Sequence, residues 1–309
     1  MVREEFSFDS RDGVSKIHAV KWMPDCAPRA VLQITHGMAE HYERYETFAQ
    51  FMTEHGFVVT ADDHLGHGKT AMRNGGKRGY ICKDHSDTVM VRDEHRLKKT
   101  VQAQYPDLPY FVLGHSMGSF IIRNYMYRYG SGINGAIVMG TGAQPKGLLV
   151  VSRCLAAIEG LICGDDHESA FLNKLAFGAY NKRFTDTNHP SAWLTRDPEI
   201  HDSYTRDDNC GFIFTVNGFK TLFKLIWNLT ITDNIAKMPK NLPVFLVSGE
   251  QDPVGEYGAA VRRVYDSYIG LGMSDVTMKL YADDRHEVLN ELDKDQVYAD
   301  ILAWLEAHI

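Results

Sequence analysis

Little in this chain points to a disulfide scaffold, a membrane span or a nucleic-acid partner. The five cysteines, Cys26, Cys82, Cys154, Cys163 and Cys210, are odd in number and contain no CxxC pair. That pattern suits reduced thiols in a cytoplasm better than a disulfide frame. No window is apolar for the length that a membrane span needs. Residues 1–9 lack the apolar core of a secretory signal. Positive charge is also short. The formal net charge is −7, and the basic residues are scattered apart from Arg96, Lys98 and Lys99 on a predicted helix face. No nucleic acid is expected as a partner, because such a ligand wants a basic face. Asn228-Leu229-Thr230 matches a glycosylation sequon, but it lies inside an apolar helical pattern and reads as an accident. Repeats and low-complexity tracts are absent.

What is present is alternation. Short apolar runs at 30–35, 57–61, 110–114, 135–140, 244–249 and 276–281 predict buried strands, and 15–22 predicts another with mixed alternation. Tyr45, Phe48, Phe51 and Met52 share one helical face, and Gly56 stops it. Met90, Leu97, Val101 and Tyr105 mark a helix that ends before Pro106. Further helices are predicted at 117–129, at 257–269, and where Val297, Ile301, Trp304 and Leu305 share a face. Strands alternating with helices need crossover connections, hence an α/β fold with a mostly parallel central sheet flanked by helices.

Between residues 142 and 240 the rhythm breaks. Leu148, Val151, Leu155, Ile158 and Ile162 repeat at helical spacing, and so do Phe219, Leu222, Phe223 and Ile226. A loop-rich stretch separates them. Residues 1–141 and 241–309 are expected to form the core domain, and 142–240 a helical cap inserted upon it.

Gly114-His115-Ser116-Met117-Gly118 follows a predicted strand and opens a predicted helix. This G-x-S-x-G context is that of a nucleophile elbow. The chain must turn sharply there, and side chains at Gly114 and Gly118 would collide with neighbouring elements. A serine hydroxyl is a poor nucleophile at neutral pH, so it needs a base, and the base needs an orienting acid. Asp252 follows the 244–249 strand and is the expected acid, with Glu250 as the weaker choice. Asp252 also suits a turn before Pro253. His286 is the one histidine after the last strand and is the expected base. Two backbone N–H groups must meet the oxyanion. Met117, next to the nucleophile, supplies one, and Met38, beside the permissive Gly37, supplies the other.

Two other clusters carry less weight. Gly66-His67-Gly68-Lys69-Thr70 resembles the end of a phosphate loop, but Asp63 stands where that loop needs glycine, and no clear amphipathic helix opens at Lys69. Asp62, Asp63, His64 and His67 have the composition of a metal cluster. Their place after a strand suits a structural loop, and serine chemistry needs neither metal nor cofactor, so none is expected.

Longer segments now carry a resemblance. The run from His36 to Tyr45, with Gly37, Glu40, His41, Arg44 and Tyr45 in place, resembles the HGxxEHxxRY segment of monoacylglycerol lipases and related lysophospholipase-like hydrolases. Asp63-His64-Leu65-Gly66-His67-Gly68, the GHSMG elbow, Gln251-Asp252-Pro253-Val254 and Arg285-His286-Glu287 are similar to theirs as well. Lys69-Thr70 departs from the family pattern of a small residue followed by serine. The resemblance implies the α/β-hydrolase fold of the serine aminopeptidase S33 type. It also implies a Ser116, Asp252 and His286 triad, an oxyanion hole from Met38 and Met117, and a cap over an acyl pocket. The implied activity is hydrolysis of a small lipid-like ester, a monoacylglycerol or lysophospholipid. Aryl esters, thioesters and peptides would serve the same triad, and a binding module without turnover is the remaining reading. Leu148, Leu149, Phe219, Phe223 and Trp227 are candidates to line the acyl pocket. Cap helices this apolar also suit transient contact with a membrane surface.

Overall fold

The apolar runs from 30–35 to 244–249 become the interior of a single sheet, and 276–281 becomes its half-exposed edge, in the computed structural model, which describes residues 1–185 and 187–309. Its strands are β1 (Val2–Asp9), β2 (Lys16–Met23), β3 (Ala30–Thr35), β4 (Phe57–Asp63), β5 (Tyr110–His115), β6 (Gly135–Met139), β7 (Val244–Gly249) and β8 (Val276–Tyr281). They lie in the order β1-β2-β4-β3-β5-β6-β7-β8. From β4 to β8 all neighbours are parallel, while β1 and β2 run antiparallel at one edge. Every residue of β3 to β7 is buried, as helices on both faces require.

Strand β1 was not legible in the sequence. Half of its residues are charged, and only Phe8 is buried. It is an edge strand held by the β2 ladder and by Arg3, which reaches Glu5 and Glu43; such strands carry little core-facing periodicity.

The core helices before the insertion are α1 (Glu46–Glu54), α2 (Gly68–Arg73), α3 (Ser86–Gln102) and α4 (Met117–Tyr129). The insertion holds α5 (Lys146–Cys163), α6 (Ala170–Phe177), α7 (Pro198–Arg206), α8 (Val216–Asn228) and α9 (Thr232–Ile235). Helices α10 (Ala259–Gly270) and α11 (Lys294–Glu306) follow. Phe48, Met52, Ile301 and Leu305 bring α1 and α11 onto one face of the sheet. Leu97, Ile121 and Val264 bring α3, α4 and α10 onto the other.

Helix α2 does open near Lys69, though not as an amphipathic helix. It is too short to show an apolar period, and it is pinned by polar groups instead. Lys69 N donates to Asp63 Oδ2 at 2.7 Å, and His18 N donates to Thr70 Oγ1 at 2.8 Å. Within the insertion, α5 packs on α8, and α8 packs on α3 and α4. Asn217 stitches α8 to the core: Ile81 N donates to its Oδ1, and its Nδ2 donates to the Cys82 carbonyl. Helix α7 escaped detection because only His201 on it is buried. The sequon nitrogen of Asn228 is buried and donates to Asp87 Oδ2 at 2.8 Å. Among the described residues no helix is long and apolar enough to cross a membrane.

The parallel strands all end on the same rim. Strand β3 lies between β4 and β5, so the connections after β3 and β5 leave to opposite sides and open a crevice there, the usual ligand position of such sheets.

Candidate active site

Ser116 sits at the turn from β5 into α4 with φ 54° and ψ −119°. A residue with a Cβ is strained at such a φ and stays only where its surroundings hold it. Here Ser116 N donates to the Met139 carbonyl at 3.0 Å, and Ser119 returns to the Ser116 carbonyl through both its N–H and its hydroxyl. The glycines permit the close packing. A Cβ on Gly118 would strike the Thr35 carbonyl, and one on Gly114 would strike the Gly118 carbonyl.

Asp252, in the loop after β7, has no exposed surface. Its Oδ1 accepts Val254 N at 2.8 Å, so it does initiate a turn. Its Oδ2 accepts the Ser248 hydroxyl at 3.3 Å and meets His286 Nδ1 at 3.0 Å. Each carboxylate oxygen thus has a separate task, one for the loop and one for the imidazole. Glu250, the weaker choice, points outward to Arg262. His286 follows β8 and is buried. Its ring lies between His115, at 4.7 Å, and Trp193, at 5.0 Å. Its Nε2 has no hydrogen-bond partner among the described residues, and it shares one cavity with Ser116.

Met38 and Met117 line that cavity too. Among the described residues neither backbone amide donates to a protein acceptor. The amides around Met38 are engaged, which holds the loop still. Gly37 N donates to Glu40 Oε1 at 2.5 Å, Ala39 N to His67 Nε2 at 3.3 Å, and Tyr42 N to Asp63 Oδ1 at 3.0 Å. Asp63 and His67, set aside as parts of a structural loop, are therefore supports of the Met38 segment.

A buried charge network links the three loops; of its members sequence reasoning gave a role only to His115, as a support of the elbow. Arg44 grips Glu287 with two hydrogen bonds of 2.6 Å and reaches Glu40 Oε2 at 2.7 Å. Glu40 Oε1 also accepts the Tyr45 hydroxyl and faces His115 Nδ1 at 3.2 Å, while His115 Nε2 donates to the His286 carbonyl at 3.3 Å. Burial would raise the Glu40 carboxyl, but His115 and Arg44 hold it well below the usual range. Burial likewise works against the Glu287 charge, and Arg44 again prevails. Burial would lower the His115 imidazole, but Glu40 outweighs it, and the net shift is upward. One signal was available in the sequence: Glu40 and Glu287 stand within two residues of the candidate positions Met38 and His286.

The cavity holds about 850 Å³. Leu148 and Leu149 on α5 and Phe223 on α8 line it, joined by Phe120, Leu222 and Ile226. Phe219 and Trp227 are not among its lining residues, which corrects two candidates. Phe219 is fully buried against Phe214 and Phe223 in the core under the insertion. Trp227 turns its ring to the Arg153 guanidinium, 4.7 Å away.

Comparison with known proteins places the chain among hydrolases. The family model described as serine aminopeptidase, S33, matches residues 26–293. A monoacylglycerol lipase of Mycolicibacterium smegmatis is 31% identical, over 99% of this chain and 98% of that protein. A monoglyceride lipase of Rattus norvegicus is 27% identical, over 93% of this chain and 86% of that protein. The crystal structure of a highly thermostable carboxyl esterase from Bacillus coagulans, in complex with glycerol, superposes with a TM-score of 0.91 at 33% identity, covering 100% of this chain and 99% of that one.

Proposed function

From the premise that this chain belongs to the serine aminopeptidase S33 family of α/β-hydrolases, and is a hydrolase of lipid-type esters, we propose that it cleaves monoacylglycerols or similar single-chain esters through an acyl-enzyme on Ser116. One observation carries the reading. Strained Ser116 and unpartnered His286 Nε2 share an apolar cavity, with Asp252 set 3.0 Å behind the imidazole. His286 takes the serine proton as Ser116 attacks the ester carbonyl. Asp252 keeps the Nδ1–H tautomer and stabilises the imidazolium. The Met38 and Met117 amides receive the oxyanion. His286 then protonates the leaving alcohol, and water repeats the sequence on the acyl-enzyme. Residues 142–240 act as the cap over the acyl chain.

The family is described as that of a serine aminopeptidase, an activity that must hold a substrate ammonium. Glu40 and Glu287 face the cavity, but both are engaged by Arg44, Glu40 is held by His115 and Tyr45 as well, and Glu256 is paired with Arg263. This favours an uncharged ester over a peptide N-terminus. The test is a panel of monoacylglycerols of rising chain length, a lysophospholipid and a short p-nitrophenyl ester. Each methylene that enters the cavity contributes up to about 0.8 kcal/mol, or roughly fourfold in kcat/KM. A rise along the monoacylglycerol series is expected. A short aryl ester preferred outright, with no gain from chain length, would sink the proposal.

Gly140 offers a further check. It follows β6 at φ +58°, and a Cβ there would lie 3.1 Å from His286 Cε1 and 3.2 Å from His115 Cδ2. Gly140→Ala is expected to cost about 1–2 kcal/mol of stability through its backbone alone. Displacing the imidazole should also lower kcat by roughly tenfold or more, with a smaller change in KM. Thermal melts and steady-state kinetics on the same sample separate the two effects.

The cap also suits reversible contact with a phospholipid surface. Leu161 and Ile162 on α5 are 88% and 78% exposed, with Val151, Ile158 and Phe171 also open to solvent. Leu148 and Leu175 are themselves about half exposed and also line the cavity, which offers an acyl chain an apolar entrance beside them. Sedimentation with phosphatidylcholine vesicles should carry the protein down, and the double variant Leu161→Glu, Ile162→Glu should leave it in the supernatant. Equal sedimentation of both proteins would remove the membrane contact from the proposal.

A further inference from the structure

Away from the cavity, three side chains meet at the joint between β4 and α3. Asp62 lies near the end of β4, His64 just beyond it, and Glu94 within α3. All three are buried, Asp62 and Glu94 almost completely. His64 Nε2 donates to the His36 carbonyl at 3.1 Å, which leaves the Nδ1 lone pair facing inward. That Nδ1 stands 3.3 Å from Glu94 Oε1 and 3.5 Å from Asp62 Oδ1. No N–H or hydroxyl among the described residues reaches either Asp62 oxygen or Glu94 Oε1, and the two carboxyls lie within hydrogen-bond reach of each other. Three acceptors therefore converge where no lysine or arginine among the described residues pairs with them.

We infer that Asp62, His64 and Glu94 bind one first-row divalent cation in a structural site separate from the ester-cleaving one. At His64, spacing favours an ion over a shared proton. A charge-assisted N–H···O bond closes to about 2.7–2.9 Å, as between His41 and Asp207 at 2.7 Å. The His64 contacts are longer. A tetrahedral ion with bonds of about 2.0–2.1 Å sets its ligands about 3.3–3.4 Å apart, close to both distances here. Two carboxylates balance a divalent charge, and an imidazole with two carboxylates suits Zn²⁺, Mn²⁺ or Co²⁺ rather than a soft ion.

The surroundings match those of metal ligands. A ligating histidine donates its other N–H to a carbonyl, as His64 does, and a ligating carboxylate is itself hydrogen-bonded. Glu94 Oε2 accepts Gln33 Nε2 at 2.6 Å and the Thr35 hydroxyl at 2.8 Å, which leaves Oε1 for the ion. Gln33 is fixed in turn by the Tyr110 hydroxyl. A second acidic trio shows the contrast: Asp284, Glu291 and Asp293 also converge, but Arg196 supplies their positive charge at 2.6–2.9 Å. The ion would tie β4 to α3. It would also steady the segment entering Gly37, because the His64 ring stacks on that of His36 at 3.9 Å.

The test uses the full chain, purified without metal-affinity resin or chelator. Plasma mass spectrometry should find about one Zn²⁺ or Mn²⁺ per chain. Protein unfolded in chelator and refolded should take up Co²⁺ with the visible absorption of a tetrahedral centre. Each added metal should raise the melting temperature by about 5 °C or more over the refolded apo chain. Glu94→Gln and Asp62→Asn should bind about tenfold or more weakly. The inference is overturned if wild-type protein, refolded with Zn²⁺, Mn²⁺ or Co²⁺, retains no stoichiometric ion and melts unchanged. Asp62→Asn as stable as wild type would overturn it in the same way, since the amide mimics a protonated acid and would identify a shared proton as the occupant.

Discussion

Ser116→Ala is expected to abolish covalent labelling by a fluorophosphonate and to lower ester turnover by roughly 10⁴–10⁶-fold. The size of the effect follows from the role proposed for the hydroxyl. Without it no acyl-enzyme forms, and the residual rate comes from binding and oxyanion stabilisation by the Met38 and Met117 amides. Stability should change little, because alanine occupies the same φ of 54° and keeps the backbone bonds to Met139 and Ser119. Retained melting temperature with lost labelling would therefore report on chemistry, not folding. If folded wild-type protein resists the probe, and Ser116→Ala matches it in every assay, a ligand-binding protein without turnover becomes the better reading. Fluorescent gel labelling and a monoacylglycerol assay on one preparation decide between these outcomes.

Arg44→Met should give the largest loss of stability. It removes the cation shared by Glu40 and Glu287, whose side chains are each only 4% exposed. A pair broken on one side leaves an uncompensated buried charge and costs about 3–5 kcal/mol, a fall in melting temperature of roughly 5–15 °C. The pH dependence should change sign. In the wild type both carboxyls are held below their usual range. Their contribution is present above the unfolded carboxylate pKa and lost as pH falls through the lower folded values. In the variant the two carboxylates repel each other, and burial raises at least one. That group contributes most at low pH, so the deficit should narrow from pH 7 to pH 5. Activity should fall as well, since Glu40 holds Gly37 N and, through His115, the carbonyl of His286. Melting curves across pH test this account. A deficit that stays constant with pH would show that lost packing against Tyr204, 4.8 Å from the guanidinium, explains the effect instead.

The legible part of this protein was local. Strands β3 to β7 announce themselves because a strand covered on both faces must be largely apolar. The elbow at Ser116 is legible because its glycines answer a steric demand within five residues. Asp252 and His286 were found from their positions after two strands, and the structure sets them 3.0 Å apart. Tertiary packing decided the rest. Helical periodicity shows that Phe219, Phe223 and Trp227 lie on an apolar helix, but not which of them meets a cavity. Only the packing of α8 on α4 and α5 sends Phe223 there and buries Phe219 elsewhere. Charges follow the same rule. Arg44 and Glu287 are 243 positions apart, as are His115 and His286 by 171, and no local pattern encodes such encounters. Asp62 and Glu94 likewise read as parts of a strand end and a helix until the β4–α3 contact brings their oxygens to His64. Short-range sterics and solvent exclusion are written along the chain, whereas electrostatic partners arise from register and crossing angle, which only the folded chain sets.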